Sequence, residues 1–118
     1  MNCVYTGRRG EDLAAVFLFE KDYRILARNW RTRAGEIDII AWKEGVIVFC
    51  EVKSRSSKRC GSGAESVHRR KQMKIIQVAL LYLQKTQQFE AKCRFDVIEI
   101  DTTGESETIR HIVDAFQV

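Results

Sequence analysis

Residues 35–55 read GEIDIIAWKEGVIVFCEVKSR, and this stretch decides the fold class of the chain. It contains two runs rich in Ile, Val and Phe, residues 36–42 and 46–54, separated by a short segment that ends in Gly45. Apolar runs of this length on either side of a glycine-containing turn predict two antiparallel strands joined as a β-hairpin.

Charged residues interrupt both predicted strands. Asp38 lies in the first strand and Glu51 and Lys53 in the second, with 12 residues between the two acids. Acidic groups and lysine are poor strand residues and are costly to bury without a partner. Their presence among apolar residues indicates either a site with a chemical role or a structural ion pair at a strand end. The residues alone support these two interpretations about equally.

The segments on either side of the hairpin complete an α/β pattern. The predicted elements are a helix at 8–21, a strand at 23–31, the two hairpin strands, a polar loop at 54–63, a helix from 62 to 86, and strands at 94–101 and 108–113. Ser62 and Glu65 form a capping box at the start of the second helix. Its predicted buried stripe includes Ile76, Ala79, Leu80 and Leu83. The order predicts an α/β sandwich with a mixed sheet flanked by helices.

Composition is that of an ordinary globular protein. The 118 residues predict one domain, spanning 1–118, with 45% apolar and 31% charged residues. No apolar run approaches the roughly 20 residues of a membrane span, and no hydrophobic segment follows the first charges, so we expect no membrane insertion and no signal peptide. The four cysteines have no CxxC spacing, which argues against a zinc site and disulfides. We therefore expect a cytoplasmic protein.

The net charge of +4 permits nucleic-acid binding without establishing it. The basic residues cluster after the second hairpin strand and at the start of the next helix: Arg55, Lys58, Arg59, Arg69, Arg70, Lys71 and Lys74. In these positions side chains and helix-start amides would bind phosphates, whereas a solvated charged face is an alternative of comparable weight. No aromatic residues interleave with the cluster, which argues against base stacking and sequence-specific readout.

The two acids and the lysine suit a divalent metal beside a phosphodiester. Mg²⁺, or Mn²⁺ in its place, binds hard oxygen ligands, commonly one or two carboxylates together with water and substrate. Asp38 and Glu51 would supply the carboxylates, and the Val52 carbonyl is a further candidate ligand. Residues two apart on a strand share a face at a separation of about 6.6 Å, so Lys53 would point with Glu51 toward the phosphate or the attacking water.

Strand register complicates this interpretation. If Lys43, Glu44 and Gly45 form a three-residue turn, Asp38 faces Cys50 across the hairpin and lies on the wrong face for Glu51. We therefore predict a bulge or a longer loop that restores the parity.

Two further acids stand near the predicted site. Glu11 falls in the first turn of the predicted first helix, where the helix dipole favours acids whether or not they have a function. Glu36 shares the face of Asp38 by alternation, although a surface position at a strand start is the favoured interpretation. Glu11 is kept as a candidate site residue on this basis.

The chain resembles the YraN-like family of small bacterial proteins. The resemblance is carried by residues 7–11, 23–26, 29, 35–38 and 49–55, and by Lys71, Ala79, Phe95-Asp96 and Ala115-Phe116. That family is assigned to the PD-(D/E)XK nuclease superfamily and is similar to archaeal Holliday-junction resolvases. Ile37 stands where the motif name has proline, and Cys50 replaces the usual valine.

The resemblance implies a restriction-endonuclease-like αβββαβ core. It also implies Asp38 and Glu51 as metal ligands, Lys53 as the catalytic lysine, Glu11 near the metal, and a homodimer. The leading hypothesis is a Mg²⁺-dependent endonuclease that recognises the shape or backbone of DNA. The alternatives are a non-catalytic nucleic-acid-binding module of the same fold and a protein-binding domain whose acids pair with Lys53 and Arg55.

Overall fold

The computed structural model describes residues 3–55, 68–104 and 106–118, with the backbone alone for residues 3–8. Its elements are α1 (Cys3–Glu20), β1 (Arg24–Thr32), β2 (Gly35–Lys43), β3 (Val46–Arg55), α2 (Arg69–Lys85), β4 (Lys92–Asp101) and β5 (Thr108–Phe116). The predicted order of helices and strands is confirmed, and β5 extends three residues beyond the predicted strand. No helix in the described part of the chain is long and apolar enough to cross a membrane.

The five strands form one sheet in the order β1-β2-β3-β4-β5. Neighbouring strands run antiparallel except β3 and β4, which are parallel. The parallel pair follows from the connection, since β3 and β4 are joined through α2 and a parallel pair requires a crossover of this kind. The mixed sheet with flanking helices confirms the predicted fold class and is compatible with a restriction-endonuclease-like fold.

The two helices cover opposite faces of the sheet. On β3, Ile47 and Phe49 pack beneath α2, whereas Val48 and Cys50 pack beneath α1 together with its Leu18. This alternation is the period-2 pattern of a strand that is buried on both faces. The same strand carries Glu51 and Lys53 on the α2 side at its carboxyl end, which determines where a site can form.

Helix α2 begins later than predicted. Its first residue is Arg69, and His68 before it is extended with no side-chain capping bond. The predicted capping residues, Ser62 and Glu65, lie outside the described residues. Leu80 is 60% exposed, so its assignment to the buried stripe was wrong. The helix buries the face at Ile75, Ile76, Val78, Ala79, Tyr82 and Leu83 instead.

Candidate active site

A two-residue turn sets the register of the hairpin. Glu44 and Gly45 have φ values of 51° and 83°, which is the conformation of a type I′ turn. Lys43 therefore pairs with Val46, and the ladder continues to Ile39 opposite Cys50. The same register, continued by one step, brings Asp38 level with Glu51. The predicted bulge or longer loop was wrong, because a turn shorter than expected already places Asp38 on the same face of the sheet as Glu51.

Strand β2 departs from regular geometry at Asp38. Ile37 and Ile40 both pack in the core beneath α2, whereas Ile39 packs beneath α1, so the alternation of side chains slips at this residue. The ladder between β2 and β3 also stops at Ile39. Beyond it, the backbone N–H of Val52 donates to Asp38 Oδ2 at 2.8 Å. The carboxylate thus occupies the position that a backbone carbonyl of β2 would take in a regular ladder.

The neighbouring strand has its own irregularity at the same level. Arg28 pairs with Ile39 and Trp30 with Ile37, so Asn29 lies opposite Asp38. Asn29 has φ 52°, a left-handed conformation that Asn tolerates better than most residues. Asn29 was not assigned to the site from the sequence. An asparagine in the middle of a strand was the available signal, since Asn is depleted in strands and enriched at positive φ.

Asp38 and Glu51 lie side by side in a cleft of about 220 Å³, which we call the acidic cleft. The described residues that line it are Gly35, Glu36, Asp38, Glu51, Lys71, Lys74 and Ile75. Glu51 is only 5% exposed. The cleft therefore contains two carboxyl groups from adjacent strands, one of them almost completely removed from water.

The electrostatics of the acidic cleft are unfavourable for carboxylates. Burial and the charge of Glu51 raise the pKa of Asp38 to about 8, against the opposing effect of the hydrogen bond from the Val52 N–H. A hydrogen bond between the Asp38 and Glu51 carboxyl groups and the charge of Glu11 raise this pKa further. Both burial and the neighbouring acid therefore favour the protonated form of the Asp38 carboxyl group.

Lys71 from α2 forms an ion pair with Glu51. Partial burial lowers the pKa of Lys71, but its hydrogen bond and charge interaction with Glu51 outweigh that effect and raise the pKa overall. The side chain of Lys53 lies against Lys71. From the sequence, Lys71 was predicted only as a nucleic-acid contact. The buried acid Glu51, which needs a nearby cation, was the signal for this closer role.

Glu11 lies in the middle of α1, because that helix begins at Cys3. Its predicted position in a first turn was wrong, and the helix dipole no longer explains an acid there. Helix α1 approaches β3 so closely at Gly10 that an added Cβ would overlap Ser54 Oγ. Burial raises the pKa of Glu11, a hydrogen bond with Asn29 lowers it, and the charge of Glu36 raises it again. Glu11 thus adds negative charge to the surroundings of Asp38.

A second depression adjoins the acidic cleft, and we call it the basic groove. It measures about 470 Å³, and the described residues that line it are His68, Arg70, Lys71 and Lys74. Lys71 and Lys74 also line the acidic cleft, so the two depressions are continuous. Three predicted phosphate contacts therefore lie next to the two acids.

The other predicted phosphate contacts are placed differently. Arg69 donates to Gln72 Oε1 and to the Gln117 carbonyl, away from the acidic cleft. Arg55 is exposed at the end of β3, where its carbonyl accepts a hydrogen bond from the Thr102 N–H. Lys58 and Arg59 lie outside the described residues. The described structure thus assembles part of the predicted basic set around the site.

The donors in the acidic cleft fit a small, hard divalent cation. Two neighbouring carboxyl groups are what Mg²⁺ or Mn²⁺ binds through one or two protein ligands. Among the described residues no group of three or more His, Cys, Asp or Glu side chains converges on one point. Glu11 is therefore near the two acids without completing a three-carboxylate cluster, and a cation here would need water or substrate oxygens as further ligands. The Val52 carbonyl stays a predicted ligand.

Comparison with known proteins gives a consistent family. Residues 10–100 match the model of the Uncharacterised protein family UPF0102. The UPF0102 protein of Syntrophomonas wolfei is 44% identical over 110 residues, covering 93% of this chain and 96% of the relative. The UPF0102 protein of Geobacter metallireducens is 45% identical over 112 residues, covering 95% of this chain and 92% of the relative.

Proposed function

The chain belongs to family UPF0102, the YraN-like family that its motifs resemble, and we propose that it is a metal-dependent endonuclease that hydrolyses phosphodiester bonds in DNA. We also propose that the family is a branch of the PD-(D/E)XK nuclease superfamily. The order of α1, β1, β2, β3, α2 and β4 matches the αβββαβ core that such membership requires. A homodimer, implied by the resemblance to resolvases, stays a prediction.

The observation that carries the proposal is the pair of neighbouring acids, Asp38 and Glu51. Two carboxyl groups that share a hydrogen bond in a buried cleft raise the pKa of one of them, which is unfavourable for a structural ion pair. Sites that bind cations or perform acid–base chemistry accept this cost, because the ligand relieves it. A purely structural role would be better served by one acid and one cation.

Each residue of the site would have its own role in the hydrolysis. A bound divalent cation withdraws charge from a phosphoryl group and lowers the pKa of a water ligand. Asp38 and Glu51 would hold this cation, with the Val52 carbonyl as an additional donor. Lys53 would stabilise negative charge on the phosphate or orient the attacking water, and Glu11 would strengthen the negative potential that attracts the cation.

The basic groove supports a nucleic-acid substrate that is recognised by its backbone. Arg70, Lys71 and Lys74 present cations beside the acidic cleft, where a phosphate next to the scissile bond would lie. No aromatic side chain lines the groove among the residues that the structure describes. Contacts of this kind fix position without reading sequence, so we propose that the enzyme selects DNA by its structure.

The test is a cleavage assay with labelled DNA as intact duplex, nicked duplex, flap, four-way junction and single strand, with Mg²⁺ or Mn²⁺. Lys53→Ala and Asp38→Asn run beside the parent protein. Their matched controls are Lys92→Ala and Asp22→Asn, both at exposed positions. Lys92 pairs with Val46 at the opposite end of β3 from Lys53. The controls therefore repeat each chemical change far from the acidic cleft.

The proposal predicts metal-dependent cleavage of at least one substrate by the parent and both controls. We expect Lys53→Ala to lower the rate about 10²- to 10³-fold, as for the loss of other electrostatic contacts to a reacting group. Asp38→Asn should abolish cleavage within the detection limit. If the parent binds DNA but no substrate is cleaved, the non-catalytic binding module becomes the better description. If it neither binds DNA nor cleaves it, both nucleic-acid proposals are wrong.

A further inference from the structure

We propose that Lys71 has two alternative partners: it holds Glu51 until a divalent cation binds the acidic cleft, and it then contacts a DNA phosphate in the basic groove. The inference rests on the proposed function and adds a step to it. Cation binding would release a lysine for the substrate, which makes metal and DNA binding mutually reinforcing.

The position of Lys71 makes both partners accessible. It is the third residue of α2, and its side chain lines the acidic cleft and the basic groove at once. Its ion-pair partner Glu51 is nearly buried, whereas the Lys71 side chain is 48% exposed. A half-exposed lysine on a flexible four-carbon stem can turn between two neighbouring depressions without a change in the backbone.

Charge explains why the two partners exclude each other. The Lys71 ammonium group and a divalent cation would both contact the Glu51 carboxylate, and like charges at such separations repel strongly when they are partly removed from water. A cation bound by Asp38 and Glu51 therefore displaces the ammonium group. The basic groove receives it, and a phosphate there compensates its charge together with Lys74 and Arg70.

A static role for Lys71 makes a different prediction. If the ion pair only secures α2 to β3, removal of the ammonium group lowers stability and leaves the affinity for a cation unchanged. If Lys71 competes with the cation, its removal raises that affinity. The direction of the change in cation affinity therefore separates the two roles.

The first measurement is Mn²⁺ binding by isothermal titration calorimetry, without DNA, for the parent, Lys71→Met, Lys71→Arg and Lys85→Met. Lys85 lies in the last turn of the same helix, so its variant repeats the change in net charge far from the cleft. We expect Lys71→Met to bind Mn²⁺ about 1.4- to 5-fold more tightly, the range for loss of a competing, half-exposed ion pair. Lys71→Arg keeps the charge and should match the parent, as should Lys85→Met.

The second measurement tests the release of the lysine. Binding of a short labelled duplex is followed by fluorescence anisotropy with and without Mn²⁺, with and without Lys71→Met. All proteins carry Lys53→Ala, so that cleavage is slow compared with the measurement. Mn²⁺ should strengthen DNA binding several-fold in Lys53→Ala and by a smaller factor in the double variant, since the released lysine is missing there. Circular dichroism establishes that each variant is folded.

The outcomes distinguish this inference from the proposed function. A parent protein that binds no Mn²⁺ overturns the proposed metal site and the inference with it. Mn²⁺ binding that is equal in the parent and Lys71→Met overturns the inference alone. Tighter Mn²⁺ binding by Lys71→Met with an unchanged effect of Mn²⁺ on DNA affinity refutes the release to the phosphate.

Discussion

Acidic side chains are removed from water at two places in the described structure, and the groups that surround them shift the pKa in opposite directions. Asp96 on β4 is fully buried, and its carboxylate accepts two hydrogen bonds from the Arg94 guanidinium at 2.9 Å each. His111 Nε2 lies 2.7 Å from the same carboxylate, and the Asp114 N–H donates to it at 2.9 Å. Burial alone would raise the pKa of Asp96, but these contacts outweigh it and lower the pKa.

The acidic cleft reverses that arrangement. Asp38 accepts one backbone N–H and otherwise faces another acid, so its pKa is raised to about 8. Each site removes a carboxyl group almost completely from water, that of Asp96 at one and that of Glu51 beside Asp38 at the other. At Asp96, hydrogen-bond donors and cations of the protein itself compensate the cost in hydration. At Asp38, a bound cation from solution would have to compensate it. The difference separates an acid used for structure from an acid suited to binding and chemistry.

The largest effect should follow from Asp96→Asn. The amide accepts fewer hydrogen bonds than the carboxylate and leaves the Arg94 charge without its partner. We expect the free energy of unfolding to fall by about 3–5 kcal/mol, as for other broken buried ion pairs. Urea denaturation followed by circular dichroism measures this. A loss below about 1 kcal/mol would mean that the Asp96 network contributes little and that the contrast with Asp38 is weak.

The converse change, Asp38→Asn, should stabilise the protein while it removes the proposed metal site. The amide oxygen still accepts from the Val52 N–H, and the amide group donates to Glu51 in place of the shared proton. The neutral amide can lie beside Glu51 without taking up a proton on folding, which should raise the free energy of unfolding by about 1–3 kcal/mol, as at other sites where function opposes stability. The same urea experiment without metal measures it. A destabilised Asp38→Asn would show that this acid, too, is structural.

Asp96 should make its own contribution to the pH dependence of stability. Its pKa is lower in the folded state than in the unfolded state, so its stabilisation is complete above the unfolded pKa and is lost as the pH falls through the folded pKa. The difference in unfolding free energy between the parent and Asp96→Asn should therefore be constant near neutrality and shrink below about pH 4. Urea midpoints over that range measure it. A difference that grows in acid would contradict the assigned direction.

The sequence predicted the order of elements because apolar periodicity reports which faces are buried. The runs around Phe49 and Leu18 have the spacing of a strand and a helix, and the structure has both there. Helix ends were harder: α1 extends back to Cys3, through residues whose apolar spacing is weak. Because the predicted start of this helix was wrong, the predicted position of Glu11 in its first turn was wrong as well.

The sequence predicted the residue types of the candidate site and its grouping of acids with basic residues, but not the individual contacts. Acids and a lysine inside apolar strands are visible in any sequence, so Asp38, Glu51 and Lys53 were identified directly. The ion pair of Glu51 with Lys71 joins residues that lie 20 positions apart and on different elements, so no local pattern reports it. The slip at Asp38 lies opposite Asn29 in another strand, and only the register of the sheet shows that these residues face each other.

The smallest expected effect tests that slip. Asn29 has a left-handed backbone opposite Asp38, and its side chain is hydrogen-bonded to Glu11. Asn29→Gly keeps the conformation and loses only the hydrogen bond, whereas Asn29→Ala also strains the backbone by about 1 kcal/mol. Urea denaturation should therefore rank the parent, Asn29→Gly and Asn29→Ala in order of decreasing stability.

Mn²⁺ affinity connects this pair of variants to the acidic cleft. If the left-handed residue holds Asp38 toward Glu51, Asn29→Ala should bind Mn²⁺ more weakly than Asn29→Gly, because only alanine favours a regular strand at this level. Equal affinities in the two variants would mean that β2 maintains the position of Asp38 by itself. The irregularity in β1 would then be a consequence of the displaced acid and not its cause. In that case β2 and β3 alone would hold Asp38 beside Glu51 and so create the contrast with Asp96.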